Sequence, residues 1–124
     1  MKTKKQKRWQ KPTPKLTTFK IPLDGGFVII VEYWSQRGQI TRFATVLIRL
    51  RDEDEGSDEI CRYDTAHGFA HLDVLDNKRR VIHKIAVPGE PSYRRAIEHA
   101  LNDLKTNYQK YWEAFRASQK PAKK

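Results

Sequence analysis

Between Arg62 and Asp73 the chain reads Arg62-Tyr63-Asp64-Thr65-Ala66-His67-Gly68-Phe69-Ala70-His71-Leu72-Asp73, which gathers two imidazoles, two carboxylates and a guanidinium around one glycine. No folding requirement demands that mixture. Imidazoles exchange protons near neutral pH, a carboxylate orients a neighbouring ring, and a guanidinium holds phosphate through paired donors. Cleavage of RNA without a metal needs that set: a base for the 2′-OH proton, an acid for the leaving 5′-oxygen and a cation for the charge on phosphorus. In this reading His67 and His71 form the proton-transfer pair, Asp64 orients one of them, and Arg62, His83 and Lys84 make up the phosphate side.

The same residues admit other chemistry. Imidazoles and carboxylates suit zinc or manganese, with His67, His71 and either Asp64 or Asp73 as three ligands and His83 arriving from a later strand. The two histidines are four positions apart across a turn and not on a helix, so neither a metal nor any other cofactor is expected. In the bland reading the charged groups satisfy one another on a solvated sheet face. His99, beside an apolar helical stripe, reads as an ordinary surface or half-buried histidine. Cys61 alternates with Tyr63 and Thr65 and reads as a small buried hydrophobe. As the only cysteine it excludes an intrachain disulfide and a Cys-based zinc site, which suits a reducing cytoplasm.

These residues must be positioned by a sheet. From Thr17 to Leu50, β-branched and aromatic residues run between turn signals. The pattern predicts strands over Thr17–Ile21, Phe27–Ser35 and Gln39–Leu50, joined at Asp24-Gly25-Gly26 and Arg37-Gly38. Phe27, Ile29, Val31 and Tyr33 share one face. Both faces of the third strand are partly apolar, as in a central or covered strand. Six acids between Asp52 and Glu59 surround Gly56-Ser57 without the spacing of a calcium loop, and read as a solvated hairpin loop. Further strands are predicted over Ile60–Ala66, Phe69–Leu75 and Arg79–Ala86. If the chain reverses at Gly68-Phe69, Ala66 lies opposite His71 and Asp64 opposite Asp73. Arg62, Asp64, His71 and Asp73 then share one face.

Pro88 to Pro91 ends the sheet, and Ser92 is placed to cap a helix. Tyr93, Ala96, Ile97, Ala100, Leu101, Leu104, Tyr108, Tyr111, Trp112 and Phe115 fall on one stripe of a helix about twenty-four residues long. That stripe must be covered, and the sheet is the simplest cover. Its aromatic far end is a candidate surface for a homodimer through the C-terminal helix.

The 124 residues fit one domain. A net charge of +10 comes entirely from the ends: residues 1–20 carry eight bases and no acid, residues 117–124 carry three bases, and residues 21–116 hold fourteen bases against fifteen acids. The expected organisation is a disordered basic arm over 1–16, a single domain over 17–116 and a disordered basic tail over 117–124. A basic arm with one aromatic, Trp9, suits phosphate backbones. No apolar run long enough for a membrane span is present, and Pro12 and Pro14 follow the basic start where a signal peptide would be apolar.

The run Arg62-Tyr63-Asp64-Thr65-Ala66-His67-Gly68, then His71 and Ile82-His83-Lys84, resembles the Arg-Tyr-Asp-Asn-Ala-(Pro)-His-His core and downstream His-Lys-His segment of the TumE-type toxin family. The Tyr63–Phe69 stretch and the closing helix also resemble a group of small bacterial proteins of about this size. The resemblance spans roughly residues 60–112, with Gly68 in place of the second histidine of the pair and His83 as the one downstream histidine. It implies a toxin of a toxin–antitoxin pair, an antitoxin protein as partner and an RNA target. It also implies Asp64, His67, His71 and His83 as site residues.

The sequence therefore predicts an α+β fold, an antiparallel β-meander of five or six strands covered on one face by a long C-terminal helix. The expected function is that of a small toxin-like, RNA-directed endoribonuclease that needs no metal. The alternative is a non-catalytic accessory module that binds nucleic acid or protein. Expected partners are nucleic acid, RNA before DNA, and an antitoxin, with no membrane.

Overall fold

The computed structural model describes residues 13–65, 68–87 and 92–118. His67 and most of both basic ends lie outside them. Six strands form one antiparallel sheet in sequential order: β1 Lys15–Pro22, β2 Phe27–Gln36, β3 Gln39–Leu50, β4 Ser57–Asp64, β5 His71–Leu75 and β6 Val81–Ala86. The one α-helix among the described residues, α1 Tyr93–Ser118, packs mainly across β3 and more lightly on β4 and β5. The sequential order follows from short connections, which leave each strand its predecessor as the nearest partner.

The first two connections are set by backbone conformation. Gly25 and Gly26 have φ of 80° and 84°, and Arg37 and Gly38 have φ of 53° and 77°. Positive φ at both central residues gives a turn whose twist matches the flanking strands. That turn pairs Gln36 with Gln39 and Ser35 with Ile40, and a bulge at Trp34/Ser35 then sets Trp34 opposite Arg42.

One sheet face meets the helix. Phe27, Ile29 and Val31 of β2, Phe43 and Leu47 of β3, Cys61 and Tyr63 of β4, and Leu72 and Val74 of β5 are buried there against Ala96, Ile97, Ala100, Leu104 and Phe115. The aromatic end of α1, predicted as a surface for a second subunit, folds onto its own sheet. Tyr108 and Trp112 meet the Phe27 ring edge-on at 5.0 and 5.9 Å, and Trp112 stacks on Phe115. Asp103 fastens the helix, accepting hydrogen bonds of 2.6 Å from both Tyr63 and Tyr111 and one of 2.7 Å from Asn107.

Several boundaries differ from the sequence-based expectation, among them the start of β6 at Val81 and not Arg79, and the end of α1 at Ser118, inside the expected tail. Lys15 and Leu16, assigned to the arm, pair with Ser35 and Trp34 in β1. Asp58 and Glu59, assigned to the acidic loop, belong to β4 because Arg51 and Arg62 neutralise them: Arg51 Nη1 lies 2.7 Å from Asp58 and Arg62 Nε 2.8 Å from Glu59. The chain after β4 turns more widely than proposed. Gly68 N–H donates to Thr65 O, and the Thr65 hydroxyl accepts the Phe43 N–H, so β4 ends at Asp64 and β5 starts at His71.

Candidate functional site

The wider turn moves the β4–β5 register by two residues. Asp64 lies opposite His71, where Ala66 was expected, and Arg62 lies opposite Asp73, where Asp64 was expected. An even shift preserves faces. Arg62, Asp64, His71 and Asp73 therefore do share the face away from the helix. The two carboxylates now sit diagonally, with a cation opposite or beside each.

His71 is 1% exposed, and its ring stands beside Phe69. Nδ1 is 3.2 Å from the Phe69 carbonyl oxygen. Nε2 is 3.0 Å from Asp64 Oδ1 and 3.6 Å from Asp73 Oδ2. The outer oxygens of both acids face cations: Arg62 Nη1 is 3.6 Å from Asp64 Oδ2, and Lys84 Nζ donates to Asp73 Oδ1 at 2.9 Å. The cluster thus unites Arg62, Asp64, His71, Asp73 and Lys84 from three strands.

His83 does not join it. It pairs with Val74 while Lys84 pairs with Asp73, so alternation carries His83 to the opposite face. His99 lies on the helix, with its ring centre 5.9 Å from that of Tyr63 in an edge-to-face arrangement. His67 lies outside the described residues. Of the proposed proton-transfer pair only His71 can be placed, and both of its nitrogens face oxygen atoms inside the sheet. It can orient Asp64 from behind, and burial removes it from direct contact with a substrate. Cys61 is a free, fully buried thiol whose pKa is pushed well above its ordinary value, first by burial and then by Asp103 and Glu59. The thiolate is the nucleophile, so this cysteine is inert.

Asp64 also borders a concavity. β3 begins at Gln39, but its ladder with β4 begins only at Ala44. The gap beside the first half of β3 is a notch of about 500 Å³, lined by Glu32, Trp34, Thr41, Arg42, Phe43, Ala44, Asp64, Thr65, Gly68 and Tyr93. Within it the Arg42 guanidinium lies over the Trp34 ring at 4.6 Å. Tyr93 Oη donates to Gly68 O and closes one side. Glu32 and Asp64 both pair with Ala44, so they flank a small-residue floor. The notch offers a planar cationic stack, two carboxylates and a hydroxyl-bearing rim. The stack suits a flat aromatic group.

Trp34, Arg42 and Glu32 did not stand out in the sequence. Period-two alternation from the buried Phe27–Ile29–Val31 series assigns Glu32 and Trp34 to the other face, which was the available signal. The bulge that brings Arg42, not Thr41, opposite Trp34 had none.

The chain belongs to the family described as a domain of unknown function, DUF7718, which it matches over residues 3–121. No curated protein and no solved structure matches it significantly. Among the described residues no helix is long and apolar enough to cross a membrane.

Proposed function

We propose that this DUF7718 protein is RNA-directed and grips single-stranded RNA in the notch beside β3. The observation that carries the reading is the Arg42–Trp34 stack in a concavity bordered by Asp64. Unpaired bases stack on aromatic and guanidinium planes, whereas bases in a duplex do not offer their faces. Lys20, Arg62 and Lys84 occupy the same sheet face by alternation, and the basic arm supplies further phosphate contacts. A buried free cysteine suits a cytoplasmic setting.

The test is fluorescence anisotropy with a short single-stranded RNA of mixed sequence. Trp34→Ala and Arg42→Ala should each weaken binding by about five-fold to a hundred-fold, the range that stacking energies imply. Both sites are on the solvent side of the sheet, so folding should survive. Parent-like affinity in both variants, or no RNA binding by the parent, rejects the reading.

A cleavage step is the second reading, favoured by the position of Asp64 between the notch and His71. Asp64 would take the 2′-OH proton as that oxygen attacks phosphorus, with His71 as a positioning residue behind Asp64 and Arg42 facing the phosphate, and the 5′-oxygen would leave with a proton from water, giving a 2′,3′-cyclic phosphate and a 5′-hydroxyl end. This is the toxin-like activity for which an antitoxin would be the partner. Asp64→Asn should then abolish cleavage and leave binding measurable. RNA that stays intact with the parent protein leaves the binding module alone.

A further inference from the structure

We propose that Asp64, His71 and Asp73 form a binding site for one divalent first-row transition-metal ion of the manganese-to-zinc kind. Each residue offers one ligand atom, and these three atoms all lie within 4.8 Å of one another. Bonds of about 2.1 Å set neighbouring ligand atoms roughly 3.0 Å apart at a right angle and roughly 3.4 Å apart in a tetrahedron. The observed separations from His71 Nε2 are 3.0 Å to Asp64 Oδ1 and 3.6 Å to Asp73 Oδ2. One nitrogen and two carboxylate oxygens suit manganese, iron or zinc, and no thiolate is near to favour softer ions.

The outer contacts strengthen the assignment. A ligating histidine usually gives its other N–H to a backbone carbonyl, and ligating carboxylates are held through their second oxygens. His71 Nδ1 faces the Phe69 carbonyl, Arg62 faces Asp64 Oδ2, and Lys84 donates to Asp73 Oδ1. Each inward atom therefore has its own outer support. His71 Nε2 and one oxygen of each carboxylate are therefore grouped as a nitrogen-and-two-oxygen donor set. A metal ion serves all three. Asp64 borders the notch and gives the ion a way in.

The site shares Asp64 with the notch, and its test uses no RNA. Full-length protein stripped with a chelator and dialysed is titrated with Co²⁺, read by calorimetry and visible absorption, and the bound ion is then displaced with Zn²⁺. The expected result is one ion per chain, a visible spectrum without thiolate charge transfer, and at least a ten-fold loss of affinity in Asp73→Asn and in His71→Ala. Trp34→Ala and His83→Ala should bind Co²⁺ as the parent does, which separates this site from the RNA notch and from the histidine on the other face. Loss of buried His71 can unfold the chain, so Mn²⁺ is also added to the parent protein. Its paramagnetism should broaden the His71 ring resonances before those of His83 and His99. No uptake by the parent, uptake unchanged in Asp73→Asn, or broadening that begins at His83 or His99 overturns the proposal.

Discussion

Asp76 shows how much one side chain can organise. It is buried at the end of β5, where Oδ1 accepts the Lys78 and Arg80 backbone N–H groups at 2.8 and 2.9 Å and Oδ2 accepts Arg80 Nε at 2.8 Å. These bonds favour the carboxylate, and the Arg80 backbone contact leads in holding its pKa below the ordinary 3.8. A depressed folded-state pKa adds stability that is fully present above the unfolded value and is lost as the pH falls through the lower folded value. Asp76→Asn should therefore be less stable than the parent at pH 7, and the gap should close only in the acid range below about pH 4. Urea denaturation of both proteins at several pH values checks this, and a gap constant down to pH 2 would show that the charge is not what matters. This triple acceptance is not legible in the sequence, and it accompanies a φ of 64° at Arg79. Asp103 was equally hidden. Nothing in the helical spacing connects it with Tyr63, forty residues earlier, yet that bond joins helix to sheet.

At the scale of elements, the hydrophobic periods carried most of the fold. The 3.6-residue stripe specified α1 and its covered face, and alternation specified which side of β2, β3 and β4 is core. Leu104 lies wholly inside, whereas Leu101 is half-buried on the flank of the stripe. Leu104→Ala should cost about 2–5 kcal/mol, as fully buried leucines do, and Leu101→Ala clearly less. Chemical denaturation with unchanged slope decides it, and equal losses would mean that the flank is as tightly packed as the centre. Register was less legible. Period two fixes faces but not offsets, so Asp64, His71 and Asp73 were grouped correctly while their partners were shifted by two. The wider turn depends on Thr65 bonding to β3, a contact between strands that local pattern does not contain. His83 was misplaced for a related reason: grouping it with Lys84 ignored the alternation between adjacent residues.

At the scale of the whole molecule, charge and shape are divided. The sheet-and-helix body is close to electrically balanced, since residues 21–116 carry fourteen bases and fifteen acids, and in the proposed function its contribution to RNA binding is the shaped notch. The first twelve residues carry six bases and no acid. Counterion release makes log affinity fall with log salt in proportion to the phosphates neutralised, with a slope of about −0.7 each for single strands. Removing residues 1–12 leaves β1 intact from Lys15 and should make the salt slope shallower by up to about four. The Trp34→Ala effect should keep its size in the shortened protein, because stacking is sequence-tolerant and not a counterion effect. Anisotropy titrations of the parent, the shortened chain and Trp34→Ala in both backgrounds, at several salt concentrations, separate the two contributions. A salt slope unchanged by the deletion would move the phosphate contacts onto the Lys20, Arg42, Arg62 and Lys84 face of the sheet. A Trp34→Ala effect that vanishes with the arm would instead mean that the notch binds RNA only when the arm has delivered it.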